Sequence, residues 1–194
     1  MVAARTAYRF TVEDLERMNP QPLDDTRYEI IDGELHVSTQ PHAYHQVTST
    51  RIAFQLAARD REVGDGVTIA APGIVFAADE AVAPDVVWYA SRERFDRAFG
   101  ADAKLHDAPD LVVEVLSPGR RNEQRDLEDK LAVYDRRGAR EYWIADWRER
   151  TVRIHRREGD RLRLVAALGA EETLTSPLLP GFAVRVGELF PISG

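Results

Sequence analysis

The run Leu111-Val112-Val113-Glu114-Val115-Leu116 restricts this chain more than any other stretch. A strand that is apolar at nearly every position has no face left for water, so it belongs in a sheet covered on both sides. Asp85-Val86-Val87-Trp88-Tyr89 reads the same way. After Pro118-Gly119 the pattern predicts a helix from about Arg121 to Arg137, stopped at Gly138, and a returning strand at Glu141-Tyr142-Trp143-Ile144-Ala145. Strand, helix, strand in this order predicts an α/β (α+β) chain. With 194 residues and 44% hydrophobic content, one core and one domain over 1–194 are expected.

The flanking segments carry clear local signals. Thr11 and Asp14 resemble a capping box, which predicts a short helix over Val12 to Met18, ended before Asn19-Pro20-Gln21-Pro22. Tyr28 to Val37 holds Asp32-Gly33 between apolar flanks, the pattern of an N-terminal hairpin with Glu29 on its first strand. Val47, Ile52, Phe54 and Leu56 predict an amphipathic helix over His45 to Ala58, and a further apolar run spans Val67 to Ala77 before a helix at Arg92 to Phe99. Val152-Arg153-Ile154-His155 and Leu162-Arg163-Leu164-Val165 alternate around Glu158-Gly159-Asp160, giving a C-terminal hairpin with one wet face.

Two carboxylates stand where apolar side chains belong. Asp110, Val112, Glu114 and Leu116 share one face of their strand, so Glu114 projects from the middle of an apolar run into whatever covers that face. An unpartnered ionised carboxylate there costs several kcal/mol or takes up a proton, so a cation is expected beside it, either an Arg or Lys side chain or a metal ion. Asp85, directly after Pro84, opens its own run, where it either meets the same cation or faces solvent as a turn carboxylate. A pair of such carboxylates on adjacent core strands suits Mg²⁺, which takes a few carboxylate oxygens and keeps several waters. On the following helix Leu127, Leu131 and Tyr134 form a buried stripe that Lys130 flanks, so its stem could cross apolar surface with the ammonium turned inward, or it could pair with Asp126 at i,i+4 on a solvated face.

Composition narrows the classes. The absence of cysteine excludes disulfides, thiolate zinc sites and a cysteine nucleophile, and fits a reducing compartment. The start of the chain leads into charged residues with no apolar segment behind them, and no later run approaches a membrane span, so a cytoplasmic location is expected. A formal charge of -7 speaks against broad electrostatic binding of nucleic acid, although clusters such as Arg120-Arg121 or Arg148 to Arg157 could contact a backbone locally. There is no G-x-S-x-G elbow, Walker loop or H-E-x-x-H helix, and His42-Ala43-Tyr44-His45 lacks the glutamate of the last.

Taken together, Arg27-Tyr28-Glu29-Ile30-Ile31-Asp32-Gly33-Glu34-Leu35, Pro84-Asp85-Val86-Val87, Ala108 to Pro118, and Asp126 to Lys130 followed by Tyr134 and Gly138 to Trp143 resemble the Uma family of restriction-endonuclease-type proteins in the PD-(D/E)XK superfamily. The resemblance spans roughly Tyr8 to Trp147 and implies a restriction-endonuclease-like fold with a mixed central sheet flanked by helices, homodimers, and metal-dependent hydrolysis of DNA phosphodiesters without an organic cofactor. It makes Asp85 the aspartate of the PD element and Glu114 the acidic residue of (D/E)XK, the two holding Mg²⁺ or Mn²⁺ with a carbonyl near Val115. Leu116 stands where the strand lysine belongs, so Lys130 would supply that charge from the helix, fixed by Gln124 and Asp126. Glu29 resembles an additional acidic residue of the family, and His45 would serve nearby. The missing strand lysine is also compatible with a catalytically inactive module that binds nucleic acid or a protein.

Overall fold

The computed structural model describes residues 8–18, 26–39, 41–64 and 66–191. The chain opens with α1 (Val12–Met18), capped as its sequence predicts: the Thr11 amide donates to Asp14 Oδ2 at 2.8 Å, and the Asp14 amide to Thr11 Oγ1 at 3.3 Å. The hairpin of β1 (Arg27–Ile31) and β2 (Glu34–Ser38) turns through Asp32 and Gly33, both at positive φ, as a two-residue turn twisting with its strands requires. Then follow α2 (Ala43–Val63), longer than the helix expected over His45 to Ala58, and β3 (Val67–Ala70), β4 (Ile74–Ala77), β5 (Glu80–Val82), β6 (Val86–Tyr89), α3 (Arg92–Ala98) and β7 (Leu111–Val115).

Among the described residues the central sheet has six strands in the order β10-β9-β8-β7-β6-β3, where β8 is Glu141–Asp146, β9 Thr151–Glu158 and β10 Arg161–Leu168. β7 and β8 run parallel and every other neighbour antiparallel, so this is a mixed sheet, as the resemblance implied, with the two apolar runs inside it. Alternation divides β7 between two cores. Leu111, Val113 and Val115 face Ile52 and Leu56 of α2, while Val112 and Leu116 face Val133 and Tyr134 of the helix that links β7 to β8.

Three features departed from expectation. The run Val67 to Ala77 is two strands in two sheets, parted at Ala71-Pro72-Gly73, where Ala71 has φ 49° and proline cannot continue a ladder. β4 and the three-residue β5 join the first hairpin in a second sheet, β2-β1-β5-β4, which lays Ile31 and Val82 against the core of Val112 and Tyr134. Near the C-terminus β11 (Thr173–Thr175), β12 (Ala183–Arg185) and a 3₁₀ turn (Val186–Leu189) close over the other core with Leu174, Val184 and Phe190. No helix among the described residues is long and apolar enough to cross a membrane.

The far end of α2 is tied to the sheet by buried Asp60, which accepts the Trp88 indole N–H at 2.8 Å and the Thr68 hydroxyl at 2.7 Å. Gly66 passes so close that a Cβ there would overlap Asp60 Oδ1 and Trp88 Nε1, both members of one hydrogen bond. Gly66→Ala is therefore expected to cost about 1–3 kcal/mol in urea unfolding. A change within the error of the wild-type midpoint would show that this knot yields freely.

Candidate active site

Carboxylates and cations gather where β7 leaves the sheet. β6 and β7 pair through Val86 and Val113, and one further step of that register sets Asp85 beside Glu114. Beyond the end of β6 the Asp85 carboxylate takes over the ladder, its Oδ2 accepting the Val115 N–H at 2.8 Å. The same oxygen lies 3.2 Å from Nε2 of His45, in the first turn of α2, and Oδ1 accepts from Arg27 Nη1 at 3.1 Å. Arg27 and Glu29 are two apart on β1 and share a face. Between them they grip the Ala83 peptide: its N–H donates to Glu29 Oε1 at 2.9 Å and its carbonyl accepts from Arg27 at 3.1 Å. The second sheet thereby fixes the Pro84-Asp85 approach to the first.

The linking helix supplies the remaining charges. It runs as α4 (Arg120–Gln124), a π-helical turn (Arg125–Asp129) and α5 (Lys130–Arg137), ending at Gly138 in the left-handed region. The Lys130 amide donates to the Arg125 carbonyl, an i→i+5 bond. On a regular α-helix residues five apart diverge by about 140°; the wide turn stacks Arg125 and Lys130 on one side. The buried face is consequently Arg125, Asp126, Lys130, Val133 and Tyr134, whereas Leu127 and Leu131 are only half-buried, a correction to the stripe drawn from α-helical periodicity. Lys130, 1% exposed, sets its ammonium 2.9 Å from Glu29 Oε1 and 2.9 Å from Glu114 Oε1, with Asp126 Oδ1 at 3.7 Å. The Tyr134 hydroxyl donates to the same Glu114 oxygen at 3.1 Å.

The site thus brings Glu29, His45, Asp85, Glu114, Asp126 and Lys130 together, with Lys130 turned inward rather than solvated. Gln124 stands apart: it precedes the wide turn, is exposed, and its amide donates to Glu128 at 3.3 Å instead of supporting Lys130. Arg27, Arg125 and the Tyr134 hydroxyl are additional members. The spacing of Arg27 from Glu29 could have flagged the first; nothing in an α-helical reading brings Arg125 inward. A cavity of about 360 Å³ opens over the group, lined by Arg27, His45, Asp85, Glu114, Arg125 and Lys130 among others.

The environments push the two strand-end carboxyls apart. Burial opposes the charge on Asp85, but the His45 hydrogen bond, Arg27 and Lys130 overcome it and hold the group at about 2. Burial pushes Glu114 up to about 8, and the neighbouring Asp85, Asp126 and Glu29 add to this against the pull of Lys130. Glu29 shares the same lysine yet is lowered, because Arg125 and the Ala83 amide also favour its charge against its own burial. At neutral pH Glu29 carries the charge and Glu114 the proton. Four carboxyl groups (Glu29, Asp85, Glu114, Asp126) thus gather around three guanidinium or ammonium groups (Arg27, Arg125, Lys130) and the His45 imidazole, and burial pushes Asp126 up as it does Glu114. A divalent cation could replace the proton on Glu114. Asp85 and Glu114 are hard oxygen donors of the kind such an ion takes, although among the described residues no group of three or more His, Cys, Asp or Glu is placed to hold one.

Two comparisons with known proteins bear on this arrangement. The profile of the family Uma2, described as "Putative restriction endonuclease", matches residues 12–187. Among solved structures, that of a putative nuclease belonging to DUF820 from Anabaena variabilis superposes with a TM-score of 0.74 at 16% identity, covering 93% of this chain and 97% of that one, a likeness of fold. No curated protein matches the chain.

Replacing Lys130 would leave Glu29 charged in a dry site. Lys130→Met is expected to cost about 3–5 kcal/mol in urea unfolding, and Lys130→Met/Glu29→Gln to cost less than the sum of its parts by about 1 kcal/mol or more. Strict additivity would mean that the two groups do not depend on each other.

Proposed function

Because the chain belongs to the Uma2 family of putative restriction endonucleases, we propose that it is a divalent-metal-dependent DNA endonuclease whose centre is built on Asp85 and Glu114. The nuclease-type fold related to PD-(D/E)XK enzymes sets the context. The observation that carries the reading is the gathering of four buried carboxyl groups at the carboxyl end of β7, two of them pushed up by burial, beside an open cavity.

Asp85 and Glu114 would hold Mg²⁺ or Mn²⁺, with the Val115 carbonyl as a further oxygen donor. When bound, the ion supplies Lewis acidity at the scissile phosphate and lowers the pKa of a water. The chain's own groups prepare that site. The Val115 amide, Arg27 and His45 keep Asp85 ionised and aimed, so that it offers oxygens without first losing a proton. Tyr134 and Lys130 fix Glu114, and Glu29 fixes Lys130, so that a positive charge stands ready beside the reacting phosphate to offset developing negative charge. No covalent step with the protein is required. One observation favours the second reading, an inactive module that binds nucleic acid or a protein: Lys130 is already satisfied by two carboxylates, and the strand position of the usual lysine is the buried apolar Leu116.

Supercoiled DNA incubated with Mg²⁺ or Mn²⁺, with EDTA as control, should be nicked by the wild type and not by Glu114→Gln or Asp85→Asn, each checked for native circular dichroism. Lys130→Gln should retain metal binding and lose about 10²- to 10³-fold in rate, the scale of removing one preorganised donor. Cleavage that survives Glu114→Gln would retire this centre, and absence of cleavage on duplex, branched and RNA substrates alike would favour the inactive module.

A pH dependence follows from the proton on Glu114. The ion must displace it, so Mn²⁺ affinity should rise about tenfold per pH unit up to about 8 and level off above, with roughly one proton released below that point. Calorimetry in buffers of different ionisation enthalpy measures this; affinity independent of pH over that range would remove Glu114 from the ligand set.

A further inference from the structure

Most basic side chains here are engaged within the protein. In the sequence cluster Arg148 to Arg157, Arg148 pairs with Asp146 and Glu123, Arg150 donates to the carbonyls of Gly187 and Pro191, Arg156 meets Glu141, and Arg157 meets Asp135. Apart from Arg153, which is exposed on β9, that cluster, which looked available in the sequence, is spent on holding the fold. Arg120 and Arg121 differ. Both are exposed, and among the described residues neither has an ion pair or a side-chain hydrogen bond. The nearest carboxylate along the chain, Glu123, is occupied by Arg148 at 2.8 Å.

Their position adds to this. They open the helix that carries Arg125, Asp126 and Lys130. The main cavity shares Ser38, Thr39, Pro41 and Ser117 with a second of about 290 Å³, which also touches Pro118 and Asn122. A third, small recess shares Val37 and Asn122 with the second and is lined by Arg121. Through these shared residues the recesses adjoin one another from Asp85 and Glu114 to Arg121, with Arg120 its exposed neighbour in the chain. The second is also lined by His42, whose ring stacks on Trp147 at 4.8 Å and 9° between planes.

We propose that this trench carries the sugar-phosphate backbone of the DNA strand flanking the reacting phosphate, with Arg120 and Arg121 as its phosphate contacts. The inference rests on the nuclease reading above and extends it to the substrate path. On a chain of formal charge -7, polyanion binding needs a local cationic element. Two unneutralised guanidinium forks suit phosphate oxygens, and Arg121 lines the last of the recesses that start at the carboxylates, with Arg120 exposed beside it in the chain. An acidic peptide would satisfy the charge but would bring no phosphodiester to Asp85 and Glu114.

The test is the salt dependence of binding to a fluorescent DNA duplex, read by anisotropy with Ca²⁺ in place of Mg²⁺. Three proteins are compared: wild type, Arg120→Ala/Arg121→Ala, and Arg61→Ala/Lys104→Ala, which removes the same charge elsewhere. The first double variant should lower the slope of log affinity against log salt by about 1.8, at 0.9 per lost phosphate contact, while the second keeps the wild-type slope. Equal slopes for wild type and Arg120→Ala/Arg121→Ala, or equal losses in both double variants, would overturn this inference and leave the nuclease reading standing. No salt-sensitive binding by the wild type would overturn both.

Discussion

One nitrogen, Nζ of Lys130, holds three parts of this structure in register. It lies 2.9 Å from Glu29 on β1 of the second sheet and 2.9 Å from Glu114 on β7 of the central sheet, and it belongs to the helix joining β7 to β8. An ammonium that is 1% exposed has given up its hydration, a penalty of several kcal/mol that only well-placed partners offset. The partners are as constrained as the lysine. Glu29 also takes the Ala83 amide, and Glu114 the Tyr134 hydroxyl, so a shift in any one element would strand a charge in the others. The contact is a weak source of net stability and a strong source of alignment.

The alignment produces an asymmetric pair of carboxyls from two strands that differ little in sequence. Asp85 sits at a strand end, where an amide, an imidazole and a guanidinium all reach it; Glu114 sits mid-strand among other carboxyls with one ammonium to share. The first is held low, at about 2, and the second is pushed up to about 8. Neighbouring groups, more than residue type, set these opposite states.

Much of the frame was legible in the sequence because it depends on local patterns: the capping box at Thr11, the Asp-Gly hairpin, the doubly buried β7 and the stop at Gly138 all form where the residues say. The odd charge in Leu111 to Leu116 also drew attention to Glu114 without any structural knowledge. What escaped was non-local. β5 is three residues long and exists through its pairing with β1 and β4, so no periodicity could reveal it. His45 was expected near the site from the resemblance alone, and its contact with Asp85 joins residues 40 apart in the chain. Arg125 takes the inward place expected of Gln124 because an extra-wide helical turn leaves no mark in a hydrophobic pattern.

That turn has a consequence for how the linking helix is divided. A straight α-helix presents one phase, so a side chain that faces a cleft near its start commits positions at multiples of a turn later to the same direction. Inserting one residue into the hydrogen-bond ladder resets the phase at Arg125 to Asp129. The segment before it is free to present an outward rim while the segment after it presents Lys130, Val133 and Tyr134 to a dry interior. The helix thus works as two shorter ones sharing a single axis, and the same residues wound as an unbroken α-helix would set Arg125 and Lys130 about 140° apart. The sheet on one side and the cleft on the other could not then both be served.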